Sequence, residues 1–149
     1  MFNKLLATHA PAATILIRLI VGAAFLSEGI QKFLFPAAVG AGRFERIGFS
    51  APEFTAQFVA CFEIACGSLV LLGLLTRLAA IPLIVIMLVA ITSTKIPILQ
   101  QSGFWKMAHE ARTDWSMLLG SIFLLIVGAG RLSCDALLMG GRDRGAEAR

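Results

Sequence analysis

Long runs of apolar side chains alternate with short polar segments along the chain. Four such runs cover residues 14–35, 54–75, 78–98 and 113–130. A helix rises 1.5 Å per residue, so about 20 apolar residues cross the roughly 30 Å hydrocarbon core of a bilayer. A polar loop over 100–112 and a polar tail over 131–149 complete the pattern. It predicts an all-α integral membrane four-helix bundle with short loops, in which residues 1–149 form a single transmembrane domain.

Composition strengthens this prediction and narrows the choice of partners. Apolar residue types make up 58% of the 149 residues, and charged types make up 15%, where a soluble domain has about 25% charge. The mean hydropathy is +0.84. One small core cannot hide so much apolar surface, so the lipid bilayer is the expected solvent. The net charge of +4 lies at helix ends, without a basic run, which favours lipid headgroups over nucleic acid.

An even number of spans places both termini on one side of the membrane. We expect a multi-pass protein of the cell membrane with both termini in the cytoplasm. Arg18, Arg77 and Arg131 are expected to anchor the inner interface, with their side chains reaching toward the headgroups. Arg43 and Arg46 fall in an opposite loop, so the excess of positive charge on the inner side is small.

The three cysteines indicate neither a disulfide nor a metal site. Cys61 and Cys66 stand five residues apart, so they rise about 7.5 Å along one helix and point in different directions. Cys134 lies near the other end of the chain. The sequence contains no Cys/His spacing typical of metal binding. We interpret all three as small buried apolar residues and predict no metal site.

Ionisable residues inside the apolar runs are the informative exceptions. Each costs about 2.5–3.5 kcal/mol near the centre of a membrane helix, so it should face the bundle interior and find a partner. Glu28 and Lys32 are four residues apart, which suits a helical ion pair. Because successive spans reverse direction, five ionisable residues from the four runs fall in the same outer half of the bilayer, namely Glu28, Lys32, Glu63, Lys95 and Asp114. The predicted polar cluster contains Glu28, Gln31, Lys32, Glu63, Lys95 and Asp114, with His109 at its rim.

This predicted cluster has two interpretations, and the residues alone leave both open. In the first, the polar network only holds four helices in register. In the second, it is a ligand or proton site that opens toward the outer interface. Neither interpretation assigns a catalytic residue.

Three short motifs resemble a known group of proteins. They are RLIVG with FLSEGIQKF at residues 18–22 and 25–33, EIACG with GLLTR at 63–67 and 73–77, and GAGRLSCD at 128–135. In order and spacing they resemble the DoxX family of small bacterial membrane proteins, over about residues 15–138. Asp114 matches the acidic position that opens the last span in the family, while Ala129 stands where the family often has proline.

The resemblance implies a four-helix bundle in the bacterial inner (cell) membrane that is associated with redox systems, including quinone-linked oxidoreductases. The first hypothesis is a quinone-interacting membrane subunit. It would bind no covalent cofactor and would receive electrons from a redox partner protein, because His9 and His109 are the only histidines and no nucleotide-binding loop is present. The first alternative is a structural or assembly subunit of a larger complex. The second is a transporter of protons or small solutes, which would require a homo-oligomer.

Overall fold

The computed structural model describes residues 11–139, and this part of the chain is helical without any strand. Helix α1 covers Thr14–Leu34, α2 covers Ala41–Arg46, α3 covers Pro52–Leu72 and α4 covers Thr76–Val127. A last helical segment occupies residues 134–139. By length and composition, α1, α3 and α4 are long and apolar enough to cross a membrane. The all-α prediction is confirmed, but the helix count differs from four. Residues 1–10, with His9, and the tail residues 140–149 lie outside the described residues.

The third and fourth predicted runs belong to one long element that folds back on itself. Helix α4 contains a single non-helical residue, Gly103, with φ 79° and ψ 175°. A straight helix would hold Lys95 and Asp114 about 28 Å apart. Lys95 Nζ nevertheless lies 3.0 Å from Asp114 Oδ2, so the chain reverses direction at Gly103. The predicted polar loop over 100–112 is wrong, because one glycine with positive φ makes this turn.

Small residues bring α1 and α3 into close contact, and these two helices run antiparallel. A Cβ atom added to Gly29 would lie 2.8 Å from the carbonyl oxygen of Ala60, and one added to Gly67 would lie 2.8 Å from the amide nitrogen of Leu26. Helices approach this closely only where side chains are minimal. Ala60 and Gly67 lie on the small-residue face of α3, which is buried against α1.

An apolar core fills the bundle toward the end where α1 begins and α3 ends, which we call the closed end. Its most buried members are contributed by all three long helices. They are Val21, Phe25, Val70, Leu83 and Leu124, each at most 2% exposed.

The side chain of Arg18 joins α1 to the end of α3 and to the segment after α4 by hydrogen bonds at the closed end. Its Nε donates to the carbonyl oxygen of Val70 at 2.9 Å, and Nη2 donates to that of Leu71 at 2.6 Å. Nη1 donates to the carbonyl oxygens of Ala129, at 3.2 Å, and Leu132. The side chain is 2% exposed. The prediction of a headgroup anchor at Arg18 is therefore wrong, because carbonyl oxygens at the end of α3 and at Ala129 and Leu132 bind the guanidinium within the protein.

Asp135 caps the N-terminus of α4 at the same end of the bundle. Its carboxylate accepts hydrogen bonds from the backbone N–H groups of Leu75 at 2.8 Å and Thr76 at 3.2 Å. These N–H groups have no partner within the helix, and a carboxylate at a helix N-terminus is favourable. The other two residues predicted to anchor the headgroup interface also lie at the closed end, where Arg77 is half-buried and Arg131 is exposed.

Candidate functional site

An ion pair between α1 and α3 forms the centre of the candidate site. In a helix the Cα–Cβ bond tilts toward the N-terminus, so Lys32 leans back along α1 and Glu63 leans the opposite way along antiparallel α3. The two side chains meet, and Lys32 Nζ lies 2.7 Å from Glu63 Oε2. Their exposed fractions are 9% and 5%. Lys32 Nζ donates this hydrogen bond to Oε2 of Glu63, and the ammonium has further N–H donors.

Glu28 extends this pair toward the surface of the bundle. Its Oε2 lies 3.7 Å from Lys32 Nζ, and its side chain is 51% exposed. The three residues form a row of carboxylate, ammonium and carboxylate that runs from the outside of α1 to the α1–α3 interface. Gln31 points elsewhere, because its amide donates to Ser27 Oγ at 2.9 Å.

Lys95 and Asp114 form a second ion pair across the turn of α4. The Nζ–Oδ2 distance is 3.0 Å, and the side chains are 11% and 18% exposed. Within residues 11–139, no ion pair shorter than 4.0 Å connects this pair to Glu63. The predicted single cluster is therefore two separate ion pairs.

His109, the predicted rim residue, has its hydrogen-bonding neighbour on its own helix. It is exposed on α4, and its Nε2 lies 2.7 Å from Nη1 of Arg112 on the next helical turn. This local contact accounts for its position without any link to the interhelical charges.

A cavity of about 370 Å³ opens above Lys32, at the end of the bundle opposite the closed end. We call this the cap end, because residues 36–51 fold over it between α1 and α3. The cavity is lined by five apolar residues and three polar ones. Its lining residues are Lys32, Phe33, Pro36, Ala41, Glu53, Ala56, Gln57 and Ala60. Apolar walls with a few converging polar groups are typical of small-molecule sites.

The segment over the cavity is held in place by its own hydrogen bonds. Arg46 donates to the carbonyl oxygens of Ala37 at 3.1 Å and Ala38 at 2.8 Å. The N–H of Gly42 donates to the carbonyl oxygen of Pro36 at 3.0 Å. A Cβ atom on Gly42 would lie 2.3 Å from the oxygen of Ala37, so only glycine allows this tight packing.

Sequence reasoning missed Glu53 and Gln57 as lining residues. Their spacing of four, next to the alanines of the same helix, was a readable sign that both polar groups share one side of α3. No signal in the sequence showed that residues 36–51 would fold back and close the space between these side chains and α1.

The cysteines differ from one another in their exposure. All three cysteines are free thiols. Cys66 is buried, Cys134 is partly buried and Cys61 is exposed. The prediction of burial is therefore wrong for Cys61, which faces outward from α3. Within residues 11–139, no group of three or more His, Cys, Asp or Glu side chains is arranged to hold a metal ion.

Comparison with known proteins places the chain among its relatives. Residues 13–96 match the model of the DoxX family. The chain is similar to the "Uncharacterized membrane protein Rv3486" of Mycobacterium tuberculosis, with 56% identity over 141 residues, covering 91% of this chain and 86% of the relative. It is also similar to the "Putative oxidoreductase CatD" of Bacillus subtilis, with 30% identity over 133 residues, covering 89% of this chain and 91% of the relative. No solved structure matches. With its long apolar helices and a membrane protein as relative, the chain is a membrane protein that belongs to the DoxX family.

Proposed function

We propose that this protein is a quinone-interacting membrane subunit of a redox system, and that the cavity beside Lys32 receives the quinone head group. The observation that carries the proposal is a cavity with both apolar and polar lining residues, one of which is Lys32, whose ammonium is buried against the Glu63 carboxylate. The relative whose name contains the word oxidoreductase supports the redox association.

The residues of the cavity match the chemical needs of a quinone ring. The ring requires apolar walls, which Phe33, Pro36 and Ala56 provide. Its carbonyl oxygens require hydrogen-bond donors, and the Lys32 ammonium and the Gln57 amide are such donors. Glu63, directly behind Lys32, is a group that can exchange a proton as the quinone changes redox state.

Reduction of the quinone to a quinol consumes two electrons and two protons. In this proposal a redox partner protein supplies both electrons, and this chain supplies binding and orientation. One proton reaches the ring by way of the Glu63–Lys32 pair and the other comes from water at the cap end. The chain carries no covalently bound cofactor in this scheme.

The experiment is a binding titration of decylubiquinone, and separately of a short-chain menaquinone, with the purified protein in lipid nanodiscs. Glu63→Gln and Lys32→Gln should each weaken binding about tenfold or more, because a hydrogen bond to a charged group contributes about 1.5–3 kcal/mol. Asp114→Asn is the matched control, since it disrupts the other ion pair outside the cavity and should leave binding within about twofold. Unchanged binding in both cavity variants would refute the proposal.

The same proposal includes a membrane arrangement of four crossings. The reversal at Gly103 makes α4 a helical hairpin, and the Lys95–Asp114 pair joins its two halves. We infer that each half crosses the bacterial inner membrane, with both termini in the cytoplasm and with Arg77 and Arg131 near anionic headgroups. Fusions of alkaline phosphatase and of a fluorescent protein at residue 101 and at residue 149 test this. Phosphatase activity at residue 149 would contradict it.

One observation favours a second candidate, a structural or assembly subunit of a larger membrane complex. Lys32 already has two carboxylate neighbours, Glu63 at 2.7 Å and Glu28 at 3.7 Å, so the row of charges can serve the bundle alone. Purification in a mild detergent separates the candidates. A stoichiometric partner protein together with no quinone binding would favour the structural subunit, whereas measurable binding that depends on Glu63 would favour the quinone site. Sedimentation of the same sample would reveal a homo-oligomer.

A further inference from the structure

Glu28 is the exposed end of the row of three charges described above. Its side chain is 51% exposed, whereas those of Lys32 and Glu63 are 9% and 5% exposed. Glu28 nevertheless lies within α1, six residues before the helix ends at Leu34, or about 9 Å along the helix axis. A carboxylate in an apolar helix of membrane length stays charged only where water or a counter-charge reaches it. Lys32 supplies the counter-charge on one side, which leaves the exposed side for water.

The opening beside Glu28 is separate from the cavity. The residues that line the cavity include Lys32 but not Glu28. Glu28 shares a face of α1 with Val21, seven residues earlier. Val21 is 1% exposed and packs on α4, because a Cβ atom added to Gly120 would lie 2.6 Å from its Cγ2. This side of α1 is therefore closed at Val21 and open at Glu28, and Lys32 lies between that opening and the cavity.

The row of charges is a short path for a proton from this opening to the cavity. Oε2 of Glu28 lies 3.7 Å from Nζ of Lys32, and the same Nζ donates to Oε2 of Glu63 at 2.7 Å. A hydrogen bond between Glu28 and Lys32 requires an approach of about 0.8 Å, which a half-exposed, flexible side chain can make. With two carboxylates and one ammonium, the row can hold an additional proton without gaining a net positive charge.

We propose that Glu28 is the proton-relay residue of the site, which takes protons from water at its own opening and passes them to Lys32. This inference rests on the proposed quinone site. As the redox partner protein supplies two electrons to the quinone, an N–H bond of the Lys32 ammonium breaks and an O–H bond forms at the ring oxygen. The neutral amine then takes the proton of the Glu28 carboxyl group, and Glu28 takes its next proton from a hydronium ion or a buffer acid. Glu28 thus acts through Lys32 and does not touch the ring.

The first experiment separates proton transfer from quinone binding, using the protein in nanodiscs with less decylubiquinone than protein. Dithionite supplies the two electrons, and stopped-flow absorbance follows the loss of the quinone. Glu28→Gln should slow this reduction about tenfold or more, because a positioned proton donor contributes roughly 10²–10⁴-fold. Its Kd for decylubiquinone should change less than about twofold, because the altered group lies outside the cavity. Glu110→Gln, at an exposed position of α4, is the matched control and should change neither quantity.

Added acid distinguishes a relay role of Glu28 from a merely structural one. Formate is the conjugate base of a small weak acid that fits the space left by the missing carboxylate. It should restore the reduction rate of Glu28→Gln and leave the wild-type rate unchanged. A wild-type rate in Glu28→Gln without formate overturns the inference, and so does a slow rate that formate does not restore.

A second measurement on the wild-type protein does not depend on any variant folding. A water-soluble carbodiimide with glycine ethyl ester modifies carboxylates that water reaches, and mass spectrometry of peptides gives the rate at each one. Glu28 should react at the same rate with and without bound decylubiquinone, because its opening is not the cavity. No reaction at Glu28, or its protection by the quinone, overturns the inference.

The binding measurements distinguish an incorrect relay from an incorrect quinone site. If the wild-type protein does not bind decylubiquinone at all, the quinone site itself is wrong, and the role of Glu28 falls with it. If the wild type binds and Lys32→Gln weakens binding, while quinone on Glu28→Gln is reduced at the wild-type rate, only the role of Glu28 is wrong.

Discussion

Replacing Glu63 by alanine should destabilise the bundle by leaving the Lys32 ammonium buried without its main partner. The ion pair has an Nζ–Oε2 distance of 2.7 Å and side-chain exposures of 9% and 5%. Removing one member of such a pair typically costs about 3–5 kcal/mol. Glu28 lies 3.7 Å from the ammonium but is 51% exposed, and an exposed pair compensates by at most about 1 kcal/mol. We therefore expect a loss of about 3 kcal/mol for Glu63→Ala.

The double variant Lys32→Met with Glu63→Leu provides the decisive comparison. Apolar residues of similar volume often replace a buried ion pair without loss of stability. We expect this variant to unfold within about 1 kcal/mol of the wild type, although each single variant is less stable. It should nevertheless bind no quinone, because the donor and the proton-exchanging group are both gone.

The assay is reversible unfolding in mixed micelles with increasing sodium dodecyl sulfate. The chain has two tryptophans and no tyrosine, so the emission of Trp105 and Trp115 reports on α4 alone. Glu28→Ala serves as the control and should change the free energy of unfolding by less than about 1 kcal/mol. A loss below about 1 kcal/mol for Glu63→Ala, or a double variant as unstable as the singles, would refute the reasoning from burial.

Three further predictions use the same unfolding assay. Gly103→Ala should lower the free energy of unfolding by about 1–3 kcal/mol, because φ of 79° with ψ of 175° is a region open essentially to glycine. The added Cβ would meet no atom within 4 Å, so the cost comes from the backbone alone. A neutral result would show that the turn can relax. Gly29→Val should cost about 1–3 kcal/mol by forcing α1 away from α3 and should also weaken quinone binding, whereas Ala23→Val on the exposed side of α1 should do neither. Arg18→Met should lower the free energy of unfolding by about 3–5 kcal/mol, since four carbonyl oxygens lose their donor. The control Arg131→Met, at an exposed position, should cost less than about 0.5 kcal/mol. Equal losses in the two variants would contradict the assigned role of Arg18.

Much of the fold could be predicted because hydropathy and residue spacing are local properties. The apolar runs located α1 and α3 within a few residues of their ends. The same signals failed at residues 100–112, where polar side chains suggested a loop. Polarity does not end a helix when backbone hydrogen bonds continue on both sides, and a single glycine was enough to reverse the chain.

The candidate site was predictable only in part. The free-energy cost of burying ionisable groups predicted that Lys32 and Glu63 would find partners inside the bundle. The packing of α1 against α3 brings these two side chains together. The same argument placed Lys95 and Asp114 in that cluster, because depth along a helix axis can be counted from the sequence. Two groups at a similar depth still need the same rotation about their helix axes to meet, and these residues face each other within α4 instead.

By itself the sequence determined that this protein is helical, that its long helices suit a membrane, and that a few charged side chains must find partners inside. Each of these follows from transfer free energies and periodicity along a single segment. Only the tertiary structure decided that Lys32 pairs with Glu63, that Arg18 is buried beneath the carbonyls of α3, and that residues 36–51 close a cavity beside Lys32. Such contacts depend on how separate helices are rotated and spaced, and on a glycine-rich cap whose path is set by packing against them.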